Sequence, residues 1–272
     1  MKLVVSVLAL LVANGCHCTP LANESPIAVR RVANGGRIVG GVPATEGQAP
    51  FQISLVMSGW FGDSHICGGS LAGKQSAITA AHCTDGSSAG DLKVKYGGLD
   101  RTKLSVSQTV KEIRQHESYN KPVQFDNDYS VLILNQPIQT TDKIKTIELV
   151  DSEPTDGLEA HLTGWGNTIG GSSSAPVGLQ FAIFQILRPG SCQARYEESY
   201  PGQIEVSANM ICAENPAASG CNGDSGGPLV VNGKLAGIVS WGIRNCPADT
   251  TKTPTAYANV AAGRTWLLSK IQ

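Results

Sequence analysis

From Ile38 onward the chain alternates short apolar runs with Gly, Pro, Ser and Asn. Runs too short for a helix and bounded by turn residues predict strands. The clearest cover Phe51–Met57, Ser76–Ala81, Leu92–Tyr96, Ser130–Leu134, Ala160–Leu162, Leu179–Leu187 and Leu235–Trp241. Helical spacing is nearly absent before Val260–Ile271, where Ala262, Trp266, Leu267 and Ile271 share one face. Many short strands with one closing helix predict an all-β barrel or sandwich. Asp151–Gly157, with its Pro, Asp and Gly, is the best internal boundary and divides residues 38–272 into halves of similar size. The Gly- and Ser-rich stretch within Gly166–Gly178 predicts a mobile loop.

The pattern before Ile38 is different. Lys2 leads into Leu3–Val12, an almost wholly apolar run that is too short to span a bilayer but suits a secretory signal peptide over about residues 1–18. A polar stretch follows and ends in Arg30-Arg31-Val32-Ala33-Asn34-Gly35-Gly36-Arg37, a string that reads as exposed and open to proteases. No later run reaches membrane-spanning length, so the mature protein is expected to be secreted and soluble, with no membrane partner.

Composition changes the picture little. Hydrophobic residues make up 41% of the chain, enough for a filled core, and the formal net charge of −1 gives no reason to expect a nucleic-acid partner. Cysteine usage says more. The chain has eight cysteines, which fits an oxidising destination. Cys16 and Cys18 lie by the signal, and Cys67, Cys83, Cys192, Cys212, Cys221 and Cys246 form an even set whose pairing the sequence leaves open. A zinc site is the weaker reading, because no CxxC pair faces another pair or a His pair.

Candidate chemistry centres on Cys221-Asn222-Gly223-Asp224-Ser225-Gly226-Gly227-Pro228. A nucleophilic Ser needs a tight turn with backbone N–H groups aimed at the developing oxyanion, and glycines permit such a turn. Alone, the string would read as a surface loop. A Ser also needs a base, and Thr79-Ala80-Ala81-His82-Cys83 places His82 at the end of an apolar strand beside a Cys that would pin it. His17, His65, His116 and His161 lack such a setting and are read as structural or exposed. Asp126-Asn127-Asp128 leads directly into the run Ser130–Leu134. A buried acid there needs a partner, so Asp128, nearer the strand, is chosen to orient His82, while Asp126 is read as a solvated loop acid. An α/β-hydrolase would share the Gly-x-Ser-x-Gly spacing, but the all-β texture and His-before-Ser order argue against it.

The strings Ile38-Val39-Gly40-Gly41, Thr79–Cys83, Asp126–Asp128, Gly164-Trp165-Gly166, Gly223–Pro228 and Ser240-Trp241-Gly242 strongly resemble the chymotrypsin-like (trypsin) serine proteases, in that family's order and across essentially all of residues 38–272. The resemblance implies two six-stranded antiparallel β-barrels, about 38–150 and 151–272, with a C-terminal helix. It implies that His82, Asp128 and Ser225 are the triad, that the N–H groups of Gly223 and Ser225 form the oxyanion hole, and that the disulfides are Cys67–Cys83, Cys192–Cys212 and Cys221–Cys246. It also implies a propeptide over 19–37, cut after Arg37 by a trypsin-like protease. The amine of Ile38 would then pair with Asp224. The cut removes Lys2, Arg30, Arg31 and Arg37 with only Glu24, so the mature chain is the more acidic.

By the same resemblance the primary pocket comprises Ser219, Ser240, Trp241, Gly242 and Thr255. An Asp at position 219 would attract Lys and Arg, as in trypsins. Neutral Ser219 and open Gly242 imply instead a chymotrypsin-like preference for Leu, Phe, Tyr or Met. Thr255 narrows the site partway, which leaves an elastase-like preference for smaller aliphatics as the alternative. The partners are protein and peptide substrates, the activating protease and protein inhibitors, and the enzyme is expected to be a monomer without cofactor or metal. A catalytically silent homologue serving as a binding module is disfavoured because His82, Asp128 and Ser225 are all present.

Overall fold

The computed structural model describes residues 38–59, 62–170 and 175–272. The signal and propeptide readings, Arg37 among them, and Gly171-Ser172-Ser173-Ser174 of the loop expected to be mobile lie outside the described residues.

Two closed six-stranded antiparallel barrels make up the protein. The first closes in the order β2 (Gln52–Gly59), β3 (Gly62–Ala72), β4 (Ser76–Thr79), β7 (Ser130–Leu134), β6 (Val106–Gln115) and β5 (Leu92–Tyr96). The second runs through β8 (Glu159–Gly164), β9 (Gln180–Leu187), β10 (Met210–Glu214), β13 (Thr255–Asn259), β12 (Lys234–Trp241) and β11 (Pro228–Val231), and β8 pairs back onto β9. Alternation explains the cores. In β5, Leu92, Val94 and Tyr96 point inward while Lys93 and Lys95 are half-exposed and share Asp63. In β7 all five residues, Ser130–Leu134, are buried, which is why the strand reads as an unbroken apolar run.

Three features depart from the sequence reading. Strands β3, β6, β10 and β13 carry no clear apolar run, and β11, Pro228-Leu229-Val230-Val231, is apolar but does not stand out beside the Gly-rich string before it. Gly68-Gly69 in β3 looks like a turn, yet a Cβ at Gly69 would sit 2.6 Å from the Ile78 carbonyl, so close strand approach demands the glycine. A helix, α1 (Pro189–Ser199), also forms where the sequence shows no helical spacing, because it buries only Cys192 and Tyr196. In the C-terminal helix α2 (Val260–Lys270) the buried positions are Val260, Gly263 and Leu267, whereas Ala262 is exposed. Gly263 takes the inner face because a Cβ there would meet the Tyr129 ring at 2.6 Å.

The two ends of the described chain cross over. A short strand, β1 (Val42–Pro43), pairs with Phe181 and Gln180 of the second barrel. Helix α2 packs on the first barrel instead: Tyr129 donates to the Asn259 carbonyl, and Trp266 and Lys270 both donate to Glu117. The three disulfides are Cys67–Cys83, Cys192–Cys212 and Cys221–Cys246. Among the described residues no helix is long and apolar enough to cross a membrane.

Candidate active site

The first barrel supplies His82 and Asp128. His82 lies in a single 3-10 turn, Ala81–Cys83, that ends β4, and the Cys67–Cys83 bridge ties this turn to β3. Asp128 immediately precedes β7, is fully buried, and accepts from the backbone N of His82 at 2.8 Å and from its Nδ1 at 2.8 Å. A third donor is Ser240 Oγ at 2.5 Å, across from the second barrel. Three short bonds to one carboxylate satisfy the cost of burying it and lock the imidazole by its Nδ1 side.

Asp126 is not a solvated loop acid. It is 1% exposed and accepts from Ser207 Oγ, Asn209 Nδ2 and Asn127 Nδ2. The loop from His116 to Tyr129 turns on left-handed residues, Phe125 at φ 62° and Asn127 at φ 54°. Asp126 ties that loop to residues 207–209 of the second barrel, so its polar neighbours, not solvent, set its place. The Asp126-Asn127-Asp128 string gave no hint of this, because Ser207 and Asn209 lie about eighty positions later.

Ser225 comes from the loop between β10 and β11. Its carbonyl accepts from Gly68 N at 2.7 Å, and Gly226 packs so tightly on Thr79 and Ala80 that a Cβ would sit 2.1 Å from Thr79 Oγ1. The nucleophile candidate is thereby held against the strand end that carries His82. Ser225 Oγ itself makes no hydrogen bond among the described residues, and the neighbour of His82 Nε2 is Cys83 Sγ at 3.7 Å. The N–H groups of Gly223 and Ser225 also donate to no described group, which leaves both available to the cleft. Gly223 takes φ 97°, a conformation that strongly favours glycine.

His65 contributes in a way its sequence setting did not reveal. Its Nδ1 pairs with Ser54 Oγ at 2.7 Å and its Nε2 with the Gly223 carbonyl at 3.0 Å, so it anchors the Gly223–Asp224 peptide on the side opposite the Gly223 N–H. Burial lowers the pKa of His65 and favours the neutral ring. The one available signal was its position two residues before Cys67. His116 stacks on Trp266, and His161 is exposed beside Glu159.

Asp224 is fully buried, and among the described residues its carboxylate accepts only from the N–H groups of Gly166 and Cys221, at 2.8 and 2.9 Å. Gly164 and Gly166 make its cradle: a Cβ on either would come within 2.4 Å of the carboxyl group. With no cation among its described partners, burial pushes its pKa up to about 7. The start of the domain reaches this neighbourhood. Ile38 is fully buried at φ 48°, and Val39 forms an antiparallel bridge with Ser219.

The cleft has a volume of about 450 Å³ and is lined by Phe125, Gly220, Ser225, Ser240, Trp241, Gly242 and Thr255, among others. Ser219 does not line it. It lies behind, 1% exposed, with Oγ unpaired, while Thr255 faces Gly220. Among the described residues, the one His/Cys/Asp/Glu cluster close enough to hold a metal is Cys67, His82 and Cys83, and its sulfurs are spent in the disulfide.

Comparisons with known proteins point to one family. The family model described as Trypsin matches residues 38–267. Trypsin alpha-4 of Lucilia cuprina is 41% identical over 234 residues, covering 86% of this chain and 87% of that protein. Trypsin beta of Drosophila erecta is 38% identical, with 86% and 88% covered. Among solved structures, neuropsin, described as a serine protease expressed in the limbic system of mouse brain, superposes with a TM-score of 0.74 at 29% identity, covering 85% of this chain and 98% of that one.

Proposed function

This chain belongs to the trypsin family of serine endopeptidases, and from that premise we propose that it is a secreted enzyme, made as a precursor, that cleaves after uncharged side chains through Ser225, His82 and Asp128. The observation that carries the reading is the buried Asp128 carboxylate, which grips His82 at both its backbone N and Nδ1 and also accepts from Ser240, a residue that lines the cleft with Ser225. In this mechanism His82 Nε2 takes the Ser225 Oγ proton as Oγ attacks the scissile carbonyl. The free N–H groups of Gly223 and Ser225 receive the oxyanion, and His82 returns the proton to the leaving amine. Water then repeats the sequence on the acyl-enzyme. Labelling of the activated protein by a fluorophosphonate tests this, and a protein that resists the label refutes it.

Activation follows from two features. A fully buried carboxylate at Asp224 without a cation is costly, and an ammonium freed at Ile38 would supply one. Ile38 is also β-branched in the left-handed region, a backbone conformation that costs about 1–3 kcal/mol. Hydrolysis after Arg37 by a trypsin-like protease would free Ile38 to leave it. The same reading takes the activator, protein inhibitors and protein or peptide substrates as partners of a monomeric enzyme.

For specificity, the lining offers no carboxylate, so Lys and Arg gain nothing there. Leu, Phe, Tyr and Met are the proposed residues before the scissile bond. A preference for smaller aliphatics is the second reading, favoured by Thr255 standing in front of Ser219. Peptides differing only at that residue decide between them. Thr255→Gly should raise cleavage after Phe relative to Val, and an unchanged ratio would clear Thr255 of that role.

A further inference from the structure

The cleft carries one positive charge that the proposed chemistry does not use. Arg244 is exposed and lines the cleft beyond Trp241 and Gly242. Every other described arginine has an acceptor: Arg101 the Pro176 carbonyl, Arg114 Glu112, Arg188 Glu153, Arg195 Glu214 and Arg264 Asp151. Arg244 has none among the described residues. The nearest acid in sequence, Asp249, is turned to the N and Oγ1 of Thr251.

The backbone presents this side chain firmly. Cys246 N donates to the Ile243 carbonyl at 3.2 Å, closing a turn with Arg244 second and Asn245 third, at φ 67°. A positive φ at the third residue, filled by Asn, matches a type II turn. The Cys221–Cys246 bridge anchors its end, and Gly170 abuts the Asn245 carbonyl so closely that a Cβ would sit 1.8 Å away. Beside it, Gly242 is exposed and neither its N–H nor its carbonyl is bonded among the described residues. That is an open strand edge, onto which an extended peptide can add.

We propose that Arg244 makes this a subsite for acidic side chains on the amino side of the scissile bond, an inference that rests on the proteolytic reading above. β12 runs away from Ser240, which touches Asp128, towards Gly242. A peptide lying antiparallel along that edge points its carboxyl side at the reacting centre, so its upstream residues pass Gly242 and Arg244. At about 3.3 Å per residue, Arg244 reaches the side chains three and four positions before the cut. A Glu or Asp there meets an unpartnered guanidinium, which binds carboxylates in fork geometry.

The test uses paired peptides that share one scissile residue and differ as Glu or Gln at the third and fourth upstream positions. In low salt the Glu peptide should show a kcat/KM about two- to fivefold higher, the range of an exposed ion pair. The preference should shrink towards one at about 0.5 M salt, where the Debye length is only a few ångströms. Arg244→Gln should bring the ratio to one, whereas Lys111→Gln, on the first barrel and off the cleft, should leave it in place. The same peptides bound to the Ser225→Ala protein, read by fluorescence anisotropy, give the ratio without turnover. Retained binding preference in a protein that never cleaves would sink the proteolytic reading but not this one. A ratio of one in both assays, or one that survives Arg244→Gln, overturns the subsite.

Discussion

The two halves of the site are held by different means. On the first barrel, Asp128 and His82 are satisfied by fixed donors, with three short bonds to one carboxylate and a disulfide beside the ring. On the second, Ser225 sits on a loop whose glycines take positive φ, next to a buried acid that two N–H groups only partly offset. The first half needs only Ser240 of the second barrel to complete it. If Ile38 is freed as proposed, the second waits for that ammonium, and control falls on the Ser225 side.

The largest effects should come from removing the reacting groups of either half. Ser225→Ala or His82→Ala should each lower kcat by several orders of magnitude, about 10⁶-fold in the subtilisin case. Asp128→Asn should cost about 10⁴-fold by holding the wrong tautomer of His82. Single-turnover assays on matched, fully cut preparations measure both. If Asp126→Asn proves worse than Asp128→Asn, the orienting acid is misassigned.

Asp224 comes next, because it separates the conditional half from the fixed one. Its carboxyl is raised to about 7 against an ordinary value of 3.8, so the protonated form suits the uncut fold. The uncut fold is then most stable at acid pH. It loses this contribution as pH climbs from about 4 through 7, at about 1.4 kcal/mol for each tenfold drop in proton concentration. An Arg37→Gln precursor should therefore melt progressively lower across that window, while the cut enzyme, with an ammonium to pair, should not. Calorimetry at several pH values compares the two, and parallel curves would mean that Ile38 and Asp224 do not meet. Asp224→Asn should cost the cut enzyme about 3–5 kcal/mol of this coupling, read as lost turnover.

A smaller effect is expected where the halves touch. Ser240→Ala removes one of three bonds to Asp128 and should cost about 1–2 kcal/mol, or roughly five- to thirtyfold in kcat/KM. Little change there would show that the His82 bonds alone suffice. Smallest should be Asp126→Asn, which keeps a polar group among Ser207, Asn209 and Asn127. It should lower Tm by a few degrees and leave kcat within a few fold.

What could be read in the sequence follows local chemistry. Ser130–Leu134 and Leu92–Tyr96 were plain because burial on both faces, or on alternate ones, writes itself into neighbouring residues. Strand β6 was not, since Val106–Gln115 shows Lys111, Glu112 and Arg114 to solvent and buries only Val110 fully. Residues carrying the family strings were visible, but the service roles were not. Asp126 depends on Ser207, His65 on the Gly223 carbonyl, and Asp128 on Ser240, and each pairing spans eighty positions or more. Ser219 was expected at the base of the pocket, but it is 1% exposed and is not among the residues that line the cleft, whereas Thr255 is.

The crossed chain ends have a mechanical consequence. Because Val42–Pro43 is stitched to the second barrel and α2 lies on the first, any hinge that parted the barrels would have to peel both straps at once. Parting the walls of the cleft between Phe125 and Trp241 would mean breaking both straps, so an extended segment that enters it would meet a slot braced from both ends of the domain.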